Sequence, residues 1–535
     1  MNPNIAARLA ERAAAHPDRL AIVEYRAGRA RRATFETLER RVAALAAGLA
    51  ARGVQPGDRV LLFIPMSLDL YVALLAVLHA GAVAVFVDAW AGRKRLDDAI
   101  AAARPRAFLG TPKAHLLRLL SPALRAIPVP IVAGGRIVSL ARLERGDVRP
   151  AAEVAADSPA LITFTTGSTG RPKAAARSHD FLWAQHQVLS AHLGIGERDV
   201  DMPTLPVFVL NNLAAGTPSV IPDFDPRRPA DIDPAAIHAQ MVSERVTTTS
   251  GSPAFYERLA DWCLRQGKAI PVRALFTGGA PVLPPFARRL CEAMPQGVAH
   301  AVYGSTEAEP IASITATDML AALEESGGEG LCVGPPVPEI ALRLIRPHDG
   351  PVALGGRGLA EWEVAPGEVG EVVVSGRHVL RGYLDDPESD RENKIKDGER
   401  VWHRTGDGAR LDARGRLWLM GRIGRRVKRG GRVWWGIAAE MRALRVPGVR
   451  HAAYLGVPNP EAGERAVLCV ETAARLTEEL CAALAAALDP MPVDEIVALE
   501  RIPRDPRHRS KTDAGALLAL LERKLGAGGG EKRGG

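Results

Sequence analysis

The sequence predicts an α/β fold: a large N-terminal α/β domain followed by a smaller α+β domain. Three observations carry that expectation. A chain of 535 residues exceeds what one hydrophobic core organises, so at least two domains are needed. Residues 1–160 alternate helix-period and strand-like patterns, the mark of a mostly parallel sheet wrapped by helices. Residues 423–523 then carry a second, shorter series of their own. The expected boundaries are 1–422 for the large domain, 423–523 for the small one, and 524–535 for a Gly-rich, charged, disordered tail.

Taken in order, residues 5–15 read as a helix and 19–25 as a strand. Thr34 precedes an Ala-rich helix over 35–50, whose apolar residues recur at three- and four-residue spacing. A Gly/Pro turn over 53–58 leads into a buried strand over 59–64. Residues 72–87 form the most apolar stretch; it is short for a membrane span and Gly81 splits it, so it reads as a buried helix and then a buried strand. Residues 201–212 read as a strand-and-turn stretch. Five prolines make 217–234 an extended loop. Residues 274–281 read as a strand ending in a glycine turn, and 361–411 as short strands and turns. In the small domain, helices are expected over 437–445, 477–488 and 514–525, with strands over 451–457, 465–471 and 495–502.

Composition excludes several classes. Hydrophobic residues make up 47%, enough for globular packing, while aromatics are only 5%, so Ala, Leu and Val fill the core. Lys plus Arg is 69 against 61 acidic residues. A net charge of +8 over this length suits anionic small ligands as well as nucleic acid. No aromatic-and-basic recognition motif supports nucleic acid. Cys263, Cys291, Cys332, Cys469 and Cys481 are scattered, with no C-x-x-C pair; free thiols in a reducing cytoplasm are the simple reading. Glu11, Arg12 and Asp18 interrupt any apolar run that a signal peptide would need.

The richest stretch chemically is 163–173, Thr-Phe-Thr-Thr-Gly-Ser-Thr-Gly-Arg-Pro-Lys. Thr165, Thr166, Ser168 and Thr169 offer donors; Gly167 and Gly170 let backbone N–H groups turn toward an anion; Lys173 adds a mobile positive charge. These properties describe a loop that cradles a polyphosphate. It is not G-x-x-x-x-G-K-[ST], because Pro172 stands before the lysine and no Ser or Thr follows it. A flexible surface loop is the alternative.

The string T-T-G-S-T-G-x-P-K resembles the phosphate loop of the adenylate-forming superfamily of acyl-CoA synthetases, peptide-synthetase adenylation domains and luciferases. The resemblance implies ATP and Mg²⁺ as cofactors and attack of a carboxylate on the α-phosphate. It extends over roughly residues 10–520. Gly279-Ala280-Pro281 is similar to the family's adenine-edge turn. Tyr303-Gly304-Ser-Thr306-Glu307 matches Y-G-x-T-E, which implies Tyr303 stacking on adenine, Thr306 donating to a phosphate, and Glu307, with Thr166, holding Mg²⁺. The alternative for Thr306 and Glu307 is a capped helix start. Asp407, in T-G-D, is implied to accept the ribose hydroxyls, with Arg422 near the ribose and phosphates. Gly424 stands where the family pivots on Asp or Lys; a glycine hinge is expected. Lys511 matches the C-terminal lysine that bridges the carboxylate and α-phosphate. Val207, Phe208, Val209 and Leu210 fall where the family borders its acyl pocket, with Val209 in place of the usual His; ordinary core is the other reading.

Within the superfamily, the Pro-rich 217–234 stretch, Ser250-Gly-Ser-Pro253 and 505–511 resemble the olefin-pathway β-lactone synthetases. That branch implies adenylation of a long-chain β-hydroxy acid and closure without coenzyme A, beside thiolase-like and hydrolase-like partners in a possible complex. An acyl-CoA ligase, with coenzyme A as acceptor, is the alternative. Residues 421–435 carry six basic residues and no acidic one: a solvated hairpin, a contact for coenzyme A phosphates, or a nucleic-acid surface.

Overall fold

In this computed structural model, residues 2–87, 92–133, 140–144, 150–166, 172–326, 329–459, 463–472, 475–504 and 512–527 are described. The apolar runs Arg59–Phe63 and Val83–Phe86 become neighbouring parallel strands near the middle of a six-stranded sheet. A run without alternation can bury both faces, and Val60, Leu61, Ala84 and Val85 are fully buried. The sheet order is Val129–Val132, Ala107–Gly110, Arg59–Phe63, Val83–Phe86, Pro159–Thr166, Pro172–Ser178; only the last strand is antiparallel. Thr34, Ser67 and Ser178 start helices, each accepting a hydrogen bond from an amide three residues on.

A second sheet has eight strands, in the order Ala308–Thr315, Val298–Ser305, Ala274–Gly278, Thr248–Gly251, Asp201–Pro203, Ser219–Ile221, Leu20–Arg26, Arg29–Thr34. Its inner strands are parallel and its two edges antiparallel. A third, antiparallel sheet contains Leu331–Gly334, Leu417–Arg422, Arg400–Leu411, Gly370–Ser375 and Ala341–Ile345, with Lys394–Asp397 paired to the long Arg400–Leu411 strand.

Asp201 sits in the middle of the eight-stranded sheet with no solvent exposure. Asn212 Nδ2 (2.7 Å) and Thr248 Oγ1 (2.8 Å) donate to it, yet burial pushes its carboxyl up to about 6. The folded chain therefore holds this proton more tightly than the unfolded chain. Stability is fully present below the ordinary value of 3.8 and falls as pH rises toward 6. Asp201→Asn keeps the acceptor for Asn212 and removes the charge. It is expected to raise unfolding stability at pH 7 by about 2–3 kcal/mol and to flatten the pH dependence in that window. An unchanged denaturation midpoint at pH 7 would contradict this.

The C-terminal domain has its own sheet, Val449–Asn459, Gly463–Thr472 and Glu495–Ala498. One apolar cluster, with Leu468, Leu484 and Leu488, covers one face; another, with Val467, Cys469, Leu517 and Leu521, covers the other. The expected helices and strands of this domain are all present. Its last helix, Ala514–Ala527, runs past residue 524, and residues 528–535 lie outside the described part. The basic run folds back as the hairpin Val427–Arg429 and Arg432–Trp434. Three of its charges meet carboxylates within the chain: Arg426 and Lys428 share Asp349, at 2.6 and 2.7 Å, and Arg429 pairs with Asp494.

Two readings need correction. Residues 201–212 are not all strand and turn. Asp201–Pro203 is a strand, but Pro206–Ala215 is a helix, with Pro206 in its first turn and Gly216 (φ 79°) ending it. A short apolar run bounded by Pro and Gly has no periodicity that separates buried helix from buried strand. Within the Pro-rich loop, Ser219–Ile221 joins the eight-stranded sheet, where Pro218 and Pro222 flank it.

Candidate active site

The strand Pro159–Thr166 and its partner Pro172–Ser178 carry the phosphate-loop residues at their joined ends, Thr165 pairing with Lys173. Thr165 is half-buried. Gly167, Ser168, Thr169, Gly170 and Lys511 lie outside the described residues, as does the side chain of Thr166. Lys173 is not mobile. It is 4% exposed, with Nζ 3.7 Å from Glu392 and 5.6 Å above the Tyr383 ring. Its place in a regular strand turns it inward.

Thr306 and Glu307 do not start a helix. They form the tight turn between Val298–Ser305 and Ala308–Thr315, with Ser305 opposite Ala308. Gly304 lets the two strands approach closely there, since a Cβ would lie 3.0 Å from the Ala308 carbonyl, tighter than ordinary contact. Arg177, buried beneath the turn, donates to the Thr306 carbonyl (2.7 Å) and to Thr163 Oγ1 (3.2 Å). Leu380 N–H donates to the Glu307 carbonyl at 2.7 Å, so the turn is gripped from both sides.

The Glu307 carboxylate accepts from Tyr383 Oη at 2.9 Å. Burial raises this carboxyl, but His403, the Tyr383 hydroxyl and Lys394 outweigh it and hold it below the ordinary range. Burial, with Lys394 beside it, pushes His403 down to about 3; its Nδ1 lies 3.2 Å from Lys394 Nζ and 3.3 Å from the Asn393 carbonyl oxygen. Burial also pushes Lys394 down to about 8, with Glu307 acting in opposition; Nζ donates to the Leu380 carbonyl. Lys394 lies 5.1 Å from the Tyr383 ring. Two lysines thus flank a tyrosine whose hydroxyl fixes a buried, ionised carboxylate. Sequence reasoning missed Arg177, Tyr383, Lys394 and His403. Tyr383, Lys394 and His403 fall in a stretch read only as short strands and turns, Arg177 in one given no reading, and no spacing ties them to Glu307.

The residues expected at the nucleoside come from three elements. Tyr303 Oη donates to Asp407 Oδ2 and Arg422 Nη1 to Asp407 Oδ1, both at 2.8 Å. Asp407 and Arg422 are register partners on adjacent strands, and Asp407 N–H donates to Thr405 Oγ1. Burial and the Asp407 charge push the Tyr303 phenol up; Asp407 holds the Arg422 guanidinium up. At the turn expected to edge the adenine, a Cβ on Gly278 would meet the Val302 carbonyl at 2.5 Å, and Gly279 has φ 78°. Gly279 and Pro281 are exposed and Ala280 half-buried, so the turn faces solvent.

Of the expected acyl-pocket residues, Val209 and Leu210 are buried in the apolar core that also holds Val60 and Leu62. Phe208 joins a separate apolar cluster with Leu189, Leu193 and Phe276, against which Val207 and Val302 pack half-buried. Gly424 lies in the short turn Ile423–Arg425, where a Cβ would meet nothing within 4 Å. Among the described residues there is no cluster of three metal-ligating side chains and no helix long and apolar enough to cross a membrane.

Comparison with known proteins agrees with this arrangement. Residues 9–384 match the AMP-binding enzyme family. An olefin beta-lactone synthetase from Xanthomonas campestris pv. campestris is 35% identical over 495 residues, covering 88% of this chain and 87% of the relative. One from Stenotrophomonas maltophilia is 34% identical, covering 98% of both chains. A feruloyl-CoA synthase from an Amycolatopsis species is 32% identical, covering 81% of this chain and 82% of its own. Among solved structures, ATP-bound MatB from Rhodopseudomonas palustris superposes with TM-score 0.79 at 25% identity, covering 98% of this chain and 99% of that one. With its matched family segment, these full-length relatives and this site, the chain belongs to the AMP-binding enzyme family, as an AMP-forming ligase.

Proposed function

We propose that this enzyme activates a long-chain β-hydroxy acid with ATP and then closes the acyl-adenylate to a β-lactone. The observation that carries the reading is the 34–35% identity with olefin beta-lactone synthetases, sustained over most of both chains. In the first step one carboxylate oxygen of the acid attacks the α-phosphorus, and the bond to pyrophosphate breaks. Asp407, already oriented by Tyr303 and Arg422, receives the ribose hydroxyls. The 165–173 loop receives the phosphates. The small domain pivots at Gly424 and brings in Lys511, whose ammonium offsets charge between carboxylate and phosphate. In the second step the substrate's β-hydroxyl oxygen attacks the acyl carbon. The hydroxyl proton is lost, the bond to AMP breaks and a four-membered ring closes.

Mg²⁺ fits this site: it needs only one or two carboxylates when phosphates and water supply the other oxygens, and Glu307 is a buried, ionised carboxylate. Glu307 and Thr166 would hold it, and it would neutralise phosphate charge.

The test is incubation with ATP, Mg²⁺ and a long-chain β-hydroxy acid, with and without coenzyme A, read by mass spectrometry. A β-lactone formed without coenzyme A supports the proposal. A thioester formed only with the thiol present makes the enzyme an acyl-CoA ligase. Failure of ATP–pyrophosphate exchange with every acid tried would overturn the activation step itself.

A further inference from the structure

We propose that the segment 112–126 docks this enzyme on an anionic membrane surface. Leu116, Leu119 and Leu120 are 63%, 71% and 63% exposed, among the most exposed large apolar side chains described. Their spacing puts them on one face of the helical stretch Pro112–Leu116 and Leu117–Leu119. The opposite face is spoken for: Ala114 and Leu124 are buried in the core beneath, with Leu117 packed against it. The outward leucines are therefore not needed to hold the segment in place. A soluble protein seldom shows a contiguous apolar cluster without a use for it.

Charge selects the occupant. From Asp98 to Glu144 the chain has no acidic residue; the segment itself carries Lys113, Arg118 and Arg125, while Arg104 nearby is already paired with Asp385. Arg118 donates to the carbonyls of Leu124 and Arg125, and Arg125 to those of Arg118 and Leu119. These bonds stiffen the segment without neutralising either guanidinium. Leucines projecting from a cationic surface match the chemistry of an anionic bilayer: apolar side chains enter the acyl boundary and basic ones meet the headgroups.

Placement gives the docking a purpose. The segment leaves its sheet at the C-terminal end of Ala107–Gly110, and the phosphate loop leaves the same end of Pro159–Thr166. Three strand spacings, about 15 Å, separate them. A membrane held there lies along the same edge of the sheet from which the phosphate loop departs. The inference needs no assumption about which acid is activated.

The full-length protein is floated with phosphatidylcholine vesicles and with phosphatidylcholine–phosphatidylglycerol vesicles, at low and high salt. Wild type is expected to bind only the anionic vesicles and to be released by salt. Leu116→Ser/Leu119→Ser/Leu120→Ser is expected to weaken partition on the order of a hundredfold. Lys113→Gln is expected to weaken it about fivefold. Neither change touches the core, so thermal unfolding and ATP–pyrophosphate exchange in solution should match wild type. Absence of binding to anionic vesicles, or binding that the triple variant retains, overturns the proposal. So does a concentration-dependent oligomer that the triple variant disperses, which would make the patch a protein interface.

Discussion

Glu307→Gln is expected to lower the rate of ATP–pyrophosphate exchange by about 10²–10³-fold while leaving the protein folded. The glutamine carbonyl can still accept from Tyr383 Oη, so the 2.9 Å bond that packs this side chain survives. What is lost is the negative charge in a buried site where Lys394 and Lys173 both approach Tyr383. Charge there matters more than in water, because the surroundings screen it poorly. A cation bridging phosphates would lose its protein carboxylate. Lys394 would also lose the neighbour that opposes its deprotonation, so its titration should move further below about 8. Tyr383→Phe separates charge from orientation. It keeps the ring between the lysines and the ionised carboxylate, and removes one hydrogen bond. A fall of about tenfold is expected, since such a bond to a charged group contributes about 1.5–3 kcal/mol at most. If Glu307→Gln retained more than a tenth of wild-type exchange at saturating ATP and Mg²⁺, Glu307 would not be the carboxylate that manages phosphate charge.

The contrast between Glu307 and Tyr383 shows what a sequence can and cannot disclose. Glu307 was legible because Tyr303-Gly304-Ser-Thr306-Glu307 is a contiguous string whose chemistry sits on one hairpin. Asp407 and Arg422 were legible for the same reason, each inside its own short motif. Tyr383 and Lys394 reach the site from a stretch joined to it only in three dimensions. Ala175 bridges Tyr383 and Ala308 bridges Val379, and no local pattern encodes those contacts. The small domain was read nearly element by element, because its helices and strands are short, regular and punctuated by turns. The helix Pro206–Ala215 was misread because its eight residues from Phe208 to Ala215 are all buried and show no amphipathic period. Lys173 was expected as a free, mobile charge and is instead buried against Glu392 and Tyr383. Sequence reveals the lysine, but not the tyrosine and glutamate that enclose it.

Arg404→Met is expected to cost about 3–5 kcal/mol of stability, a large share of what holds a domain of this kind together. Arg404 is 7% exposed and Glu371 2%, and the guanidinium grips that carboxylate through Nε and Nη2, the latter at 2.7 Å. The remaining donors reach the carbonyls of His348 (2.7 Å), Glu392 (3.1 Å) and Gly350. Methionine fills much of the volume and satisfies none of these acceptors. It also leaves Glu371 charged and alone in the interior, which is the dominant penalty. The damage should reach the site, because Arg404 immediately precedes Thr405, whose hydroxyl and carbonyl help fix Asp407 and Arg422. Glu392, tied to Arg404 through its carbonyl, is also the partner of Lys173. The Michaelis constant for ATP should therefore rise in whatever fraction remains folded. Adding Glu371→Leu removes the stranded charge, and the double variant should recover at least half of the lost stability, measured by denaturant unfolding. Recovery of stability without recovery of ATP binding would mean that the pair holds the fold and the carbonyl contacts hold the site. A single variant losing less than about 1 kcal/mol would mean that Glu371 finds a proton or another partner, and that this ion pair is not what anchors the strand bearing Asp407.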